Sequence, residues 1–131
     1  MIVVDASAVL ELLLRTDKGI KVQARVLNPE ESLHAPHLID IEVAQTLRRL
    51  VSLKEISAAR GKQALDDHIA LNIKRAEHKT PLDRVWMLRD SVTAYDAAYV
   101  VLSEVLEAPL ITCDSKLARA HGHKARIELV E

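Results

Sequence analysis

Four acidic residues stand out because each lies where a strand is predicted to end or a helix to begin. They are Asp5, Glu42, Asp96 and Asp114. Asp5 and Asp114 each follow a short apolar run typical of a buried strand. Glu42 and Asp96 lie in the first turns of predicted helices. In an open parallel sheet the carboxyl ends of the strands face one edge, so we predict that these four acids converge there.

Clustered carboxylates predict a metal site, because like charges repel unless a cation neutralises them. Hard oxygen ligands of this kind select Mg²⁺ or Mn²⁺. Such an ion activates water and stabilises the charge that develops on a phosphoryl group during its displacement. The chemistry that this pattern predicts is therefore metal-dependent displacement at a phosphoryl group.

A purely structural role is the alternative for each acid, and the spacing alone leaves it open. Asp5 could simply end a strand, and Asp114 could cap a short helix. Glu42 and Asp96 could stabilise the positive ends of helix dipoles, and Thr93 with Asp96 has the spacing of a capping box.

Other kinds of site are less well supported. The chain has six histidines but no cysteine partner or helical histidine spacing that would indicate zinc. Cys113 is the only cysteine and has no evident general base in the sequence, which favours a buried thiol over a nucleophile. No glycine-rich phosphate loop is present. We expect the three aromatic residues, Trp86, Tyr95 and Tyr99, to pack in the core.

Strands alternate with helices along the chain, which predicts a three-layer α/β sandwich around a mainly parallel sheet. The predicted strands are residues 1–4, 32–35, 69–73, 110–112 and 126–130. The predicted helices cover residues 8–14, 19–27, 57–68, 81–89 and 115–121, with two more amphipathic helices starting near Pro36 and after Thr93. We expect Ser7, Ser57 and Thr93 to cap helices. In the helix after Pro36, Leu38, Ile41, Ala44 and Leu47 recur at helical spacing and predict its buried face.

Length and composition predict one globular domain over residues 1–131, with 49% hydrophobic and 28% charged residues. The single cysteine rules out an intrachain disulfide, and no secretory leader or membrane-length apolar run is seen, so we expect a cytoplasmic protein. The net charge of −1 does not favour nucleic acid, but a local basic patch decides phosphate binding more than the total charge does. Arg48, Arg49 and Lys116 are candidates for such contacts.

Several segments together resemble the PIN-domain ribonucleases, specifically the VapC-type toxins of toxin–antitoxin pairs. These segments are residues 1–7 (MIVVDAS), 34–43 (HAPHLIDIEV), 95–99 (YDAAY) and 109–117 (PLITCDSKL). The resemblance implies a PIN-like α/β/α fold in which Asp5, Glu42, Asp96 and Asp114 hold Mg²⁺ or Mn²⁺ and position the attacking water. It also implies that the Ser7 and Thr112 hydroxyls lie beside those acids. Arg89 matches a basic position near the site and could pair with an acid there, a surface ion pair being the alternative.

The expected function is therefore a metal-dependent endoribonuclease, the toxin of a type II toxin–antitoxin pair. The resemblance implies an RNA substrate, a small antitoxin partner and a homodimer. The apolar segments 12–14 and 22–27 are candidates for contact with another chain, core packing being the alternative. Two other functions stay open: a housekeeping PIN nuclease in RNA maturation, and a PIN-fold binding module without turnover.

Overall fold

A five-stranded parallel sheet forms the centre of the computed structural model, which describes residues 1–131. Its strands are β1 (Ile2–Val4), β2 (Leu33–Pro36), β3 (Ile73–Ala76), β4 (Leu110–Thr112) and β5 (Ile127–Leu129). They are arranged in the order β3-β2-β1-β4-β5, and every neighbouring pair is parallel. Helices flank the sheet, so the predicted three-layer α/β/α architecture is confirmed.

Seven helices connect the strands. They are α1 (Ala6–Leu14), α2 (Asp17–Val26), α3 (Ile39–Ser52), α4 (Ala58–Ala70), α5 (Leu82–Met87), α6 (Ala94–Leu106) and α7 (Ser115–Ala118). Helices α1 to α4 pack against one another, and α5 packs on α6, which lies across β1, β2 and β4. As predicted, Ser57 caps α4 and Thr93 caps α6, each accepting a hydrogen bond from a first-turn N–H. None of the helices has the length and apolar character that crossing a bilayer requires.

The centre of the core is β1, whose three side chains are at most 1% exposed. A strand buried on both faces needs a continuous apolar run, and Ile2, Val3 and Val4 supply it. The chain moves from β1 through β2 to β3 in one direction and then crosses back to β4 on the other side of β1. The carboxyl ends of β1 and β4 therefore border the crevice where ligands bind in open parallel sheets.

Several predicted boundaries are wrong, among them the end of α7, which stops at Ala118 and not at His121. The first helix begins at Ala6 with Asp5 as its cap, so Ser7 lies inside the helix and does not cap it. The third strand is not residues 69–73, because α4 continues through Ala70 and Ile69 is an exposed helical residue. The strand is Ile73–Ala76, at the edge of the sheet, where only one neighbour has to be paired and polar side chains are tolerated.

The predicted buried face of α3 also differs from the structure. In α3 the buried residues are Ile39, Val43 and Leu47, while Ile41 is 73% exposed. In the apolar segments 12–14 and 22–27, the residues that are buried belong to the main hydrophobic cluster. These buried residues are Leu13, Val22 and Val26, whereas Leu27 remains exposed.

A charged cluster connects the edge strand β3 to helices α3 and α4. The Arg75 guanidinium of β3 donates to both carboxylate oxygens of Asp40 in α3, through Nε at 3.0 Å and Nη2 at 2.8 Å. The buried His68 ring of α4 lies 2.7 Å from the same carboxylate. The hydrogen bonds from Arg75, followed by the contact with His68, hold the pKa of Asp40 below its usual range. Asp40 therefore joins three elements that the sequence separates.

We expect Asp40→Asn to lower the free energy of unfolding by about 1 kcal/mol at pH 7, a value reduced for the partial exposure of the carboxylate. Because the folded pKa is depressed, this stabilisation is present above the unfolded pKa of about 3.9 and is lost as pH falls through the folded pKa. Urea titrations of wild type and variant should therefore converge at low pH. The control is Asp66→Asn, which breaks the exposed pair with Lys62 and should cost less than about 0.5 kcal/mol. Equal effects of the two substitutions at pH 7 would contradict this role of Asp40.

Candidate metal and phosphodiester site

Asp5 occupies the carboxyl end of β1 and is 5% exposed. As the cap of α1 it accepts hydrogen bonds at Oδ1 from the Ala8 amide at 2.9 Å and from the Ser7 hydroxyl at 2.7 Å. Its Oδ2 accepts a hydrogen bond from the hydroxyl of Thr112, the last residue of β4. Burial raises the pKa of Asp5, these hydrogen bonds oppose the rise, and the charge of Asp96 adds to it. The carboxylate is thus held in one orientation in a site that makes its charge costly.

Ser7 and Thr112 link the ends of β1 and β4 beneath the acids. Their hydroxyl oxygens are 3.2 Å apart, and the Cys113 amide donates to Ser7 Oγ at 3.0 Å. The Asp114 amide donates to Thr112 Oγ1, also at 3.0 Å. Both residues therefore lie where the resemblance placed them, in contact with Asp5 and with the backbone that carries Asp114.

Glu42 approaches from the first turn of α3 and is half-buried. Its Oε1 accepts a hydrogen bond from the hydroxyl of Tyr99, on α6, at 2.5 Å. Burial raises the pKa of Glu42, the Tyr99 hydrogen bond lowers it, and the charges of Asp96 and Asp5 raise it further. Burial and the bond to Glu42 also raise the pKa of Tyr99 far above its ordinary value, so the phenol stays a donor.

Tyr99 is the site neighbour that sequence reasoning missed, because it was assigned only to the core. It is buried, but its hydroxyl reaches a predicted site residue. The spacing of Asp96 and Tyr99 was the available signal, since residues three apart lie on the same face of a helix.

Asp96 and Asp114 complete the group from α6 and from the start of α7. The Thr93 hydroxyl accepts a hydrogen bond from the Asp96 amide at 3.2 Å. The reciprocal bond, from the Thr93 amide to the Asp96 carboxylate, is not formed, so only half of the predicted capping box is present. Burial and then the charge of Asp114 raise the pKa of Asp96. Asp114 does cap its helix, accepting the Lys116 amide at 2.8 Å.

The four acids are electrostatically connected. Asp96 raises the pKa of both Asp5 and Glu42, and Asp114 raises that of Asp96. None of the four carboxylates forms an ion pair with an arginine, a lysine or a histidine of the chain. No three acids are close enough to form a ready-made metal cage. An oxygen-only donor set of unneutralised charges nevertheless fits a hard divalent cation such as Mg²⁺ or Mn²⁺.

Two cations border this acidic group without pairing to it. Arg89 and Lys116 line a cleft of about 310 Å³ together with Asp96, and the charge of Lys116 lowers the pKa of Asp96. No acid lies within 4.0 Å of the Arg89 guanidinium, so the predicted pairing of Arg89 with an acid is not formed. Arg48 and Arg49 are exposed and lie about 9 Å or more beyond Glu42 along α3.

The thiol of Cys113 is not set up as a nucleophile. Burial, followed by the charges of Asp5 and Glu11, raises the pKa of Cys113 to about 11. A thiol with a raised pKa is protonated at neutral pH and reacts poorly. The interpretation of Cys113 as a packed residue therefore agrees with its surroundings.

Comparison with known proteins gives one consistent result. The PIN domain profile matches residues 2–122. Ribonuclease VapC12 of Mycobacterium tuberculosis is 43% identical over 130 residues, which cover 99% of each chain. Ribonuclease VapC1 of the same species is 44% identical over 130 residues, covering 98% of this chain and 96% of that protein. The crystal structure of PAE2754 from Pyrobaculum aerophilum superposes with a TM-score of 0.68 at 28% identity, covering 94% of this chain and 88% of that one. With this fold and this similarity over nearly its whole length, the chain belongs to the PIN-domain family, as a member of the VapC type.

Proposed function

We propose that this chain is a Mg²⁺- or Mn²⁺-dependent endoribonuclease and the toxin of a type II toxin–antitoxin pair. The observation that carries the proposal is the group of four acids, without an internal counter-ion, at the crevice between β1 and β4. The ribonuclease names of relatives that match this chain at 43–44% identity support the choice of RNA as substrate.

In this proposal Asp5, Glu42, Asp96 and Asp114 hold the metal ion. When bound there, the ion supplies an activated water and stabilises the charge on the phosphoryl group. The protein's own contribution is to orient two of these carboxylates, although no three acids yet lie close enough to form a cage. Thr112 and Ser7 hold the Asp5 carboxylate, and Tyr99 holds the Glu42 carboxylate. Lys116 and Arg89, which have no acidic partner, contact RNA phosphates at the cleft.

The partners follow from the same proposal. We infer a homodimer, inhibition by a small antitoxin protein and action in the cytoplasm, on the basis of the VapC similarity. Co-expression tests the antitoxin: the chain alone should arrest growth, and the product of a neighbouring short reading frame should relieve the arrest. Metal-dependent RNA cleavage without growth arrest would favour the housekeeping nuclease instead.

The direct test of catalysis incubates the purified protein with total RNA in Mn²⁺ or in EDTA and maps the cut ends by sequencing. We expect discrete internal cuts that require the metal. An intact RNA pool in Mn²⁺ would refute the nuclease and favour a binding module.

Thr112 offers a test of the support around the acids. Thr112→Val keeps the volume but removes the donor to Asp5 and the acceptor for the Asp114 amide. Loss of a hydrogen bond that orients a metal ligand typically costs about 10- to 100-fold in metal affinity or activity, so we expect both Mn²⁺ affinity and cleavage rate to fall by that factor. Thr112→Ser retains the hydroxyl and is the control. Calorimetric titration of Mn²⁺ checks the affinity independently of cleavage, and wild-type affinity in Thr112→Val would contradict the positioning role.

A further inference from the structure

Two of the three aromatic residues are on the surface, contrary to the expectation that all three pack in the core. Tyr99 is buried, but Trp86 is 68% exposed and Tyr95 is 67% exposed. Trp86 lies in the last turn of α5, and Tyr95 directly precedes Asp96 in the first turn of α6. Core packing therefore does not account for these two positions.

Trp86 is paired with Arg89. The guanidinium carbon of Arg89 lies 4.8 Å from the centroid of the indole ring, in a cation–π contact. Arg89 Nη1 also donates to the Trp86 carbonyl oxygen at 3.1 Å, which holds the guanidinium over the ring. Because no carboxylate neutralises Arg89, this planar cation is available to a ligand.

Arg89 connects Trp86 to the cleft of the candidate site. Arg89 lines that cleft together with Lys116 and Asp96. The cleft beside the acidic group therefore has two unpaired cations, the Arg89 guanidinium and the Lys116 ammonium. The exposed indole of Trp86 lies against the first of them. An aromatic ring beside cations suits single-stranded nucleic acid, because its bases stack on aromatic rings and its phosphates bind cations.

We propose that Trp86 and Arg89 form a subsite for one unpaired nucleobase and its phosphate, beside the cleft where the RNA is cut. The inference rests on the proposed function and extends it to the form of the substrate. Indole stacking requires the face of a base, which a duplex does not expose, so this subsite takes an unpaired nucleotide.

The first experiment uses Trp86 as its own reporter, since it is the only tryptophan in the chain. An eight-nucleotide single-stranded RNA is titrated into the protein in EDTA, where binding is separated from cleavage. We expect saturable quenching of the tryptophan fluorescence. An abasic oligomer of the same length, or the same RNA annealed to its complement, should quench much less. Equal quenching by either control, or no quenching when anisotropy shows the RNA to be bound, overturns the proposal.

The second experiment compares variants by the anisotropy of the labelled oligomer. Trp86→Leu should raise Kd by about 5- to 150-fold, the range that corresponds to the loss of one stacked base, while Trp86→Tyr should stay within about threefold of wild type. Val105→Ala is the control, because Val105 is equally exposed but lies about 13 Å further along α6 than Asp96. Melting curves check that each variant is folded, which we expect because both substituted positions are exposed.

Cleavage kinetics separate this inference from the proposed function. In Mn²⁺, Trp86→Leu should raise KM and leave kcat close to wild type, because the indole binds the substrate without touching the reacting atoms. An unchanged Kd and KM in Trp86→Leu, with cleavage intact, overturns the subsite and leaves the nuclease standing. Quenching by single-stranded RNA without any cleavage in Mn²⁺ supports the subsite and refutes the nuclease.

Discussion

Replacing Asp96 by asparagine is expected to lower the rate of RNA cleavage by more than about tenfold while the fold is retained. The substitution keeps the volume of the side chain but removes a charged oxygen that the proposed metal site needs. Asp5→Asn should have a similar effect, and its hydrogen bond from the Ala8 amide can be kept by the asparagine carbonyl. The measurement is the initial rate of cleavage in saturating Mn²⁺, with circular dichroism to verify the fold.

Asp17→Asn is the matched control for this prediction. Asp17 is also in the first turn of a helix that a threonine caps, but α2 starts beyond the far end of α1. Helix α1 has nine residues and spans about 13 Å from Asp5, which places Asp17 away from the cluster. The control should cleave RNA at the wild-type rate. Wild-type turnover in both Asp5→Asn and Asp96→Asn would eliminate the proposed site.

The sequence was most informative where a local signal and the fold agree. The apolar run of β1 followed by Asp5, and that of β4 followed by Asp114, predicted two neighbouring strand ends correctly. The caps Ser57 and Thr93 were also predictable. A serine or threonine just before a helix can accept a hydrogen bond from a first-turn N–H without help from other elements. Such features depend on only a few adjacent residues.

The features that could not be predicted depend on contacts between distant residues. The edge strand Ile73–Ala76 has a polar pattern because it pairs on one side only, and Asp40 fixes its Arg75 from another element. The capping of α1 by Asp5 had a local signal, because Asp is a preferred capping residue, but the orientation of its carboxylate by the Thr112 hydroxyl, 107 residues away, had none. Sequence spacing shows neither the partner nor the direction of such hydrogen bonds.

Charge repulsion among the acids predicts how the metal changes stability. A cation that binds only the folded state stabilises it by RT ln(1 + [L]/Kd), about 2.7 kcal/mol at a metal concentration of one hundred times Kd. For a domain of this size that corresponds to a rise in Tm of roughly 5 to 10 °C. Thermal melts of the wild type in EDTA and in Mn²⁺ measure this shift directly.

Asp96→Asn should have opposite effects under these two conditions. In EDTA its Tm should exceed that of the wild type, because burial and the charge of Asp114 make an ionised Asp96 unfavourable in the fold. In Mn²⁺ its gain should shrink, because one ligand is lost. If Asp96 were only a favourable first-turn residue, asparagine would serve nearly as well, and the response to Mn²⁺ would be unchanged.

The dependence on pH separates repulsion from other causes of a changed Tm. The folded pKa of Asp96 is raised, so the folded state binds more protons than the unfolded chain once pH exceeds the unfolded value near 3.9. In EDTA the stability of the wild type should therefore fall as pH rises from about 4 through the folded pKa, and Asp96→Asn should lose less over that interval. Asp17→Asn should follow the wild type throughout. An equal Mn²⁺ shift in wild type and Asp96→Asn, with parallel pH profiles in EDTA, would refute the acidic cluster at this position.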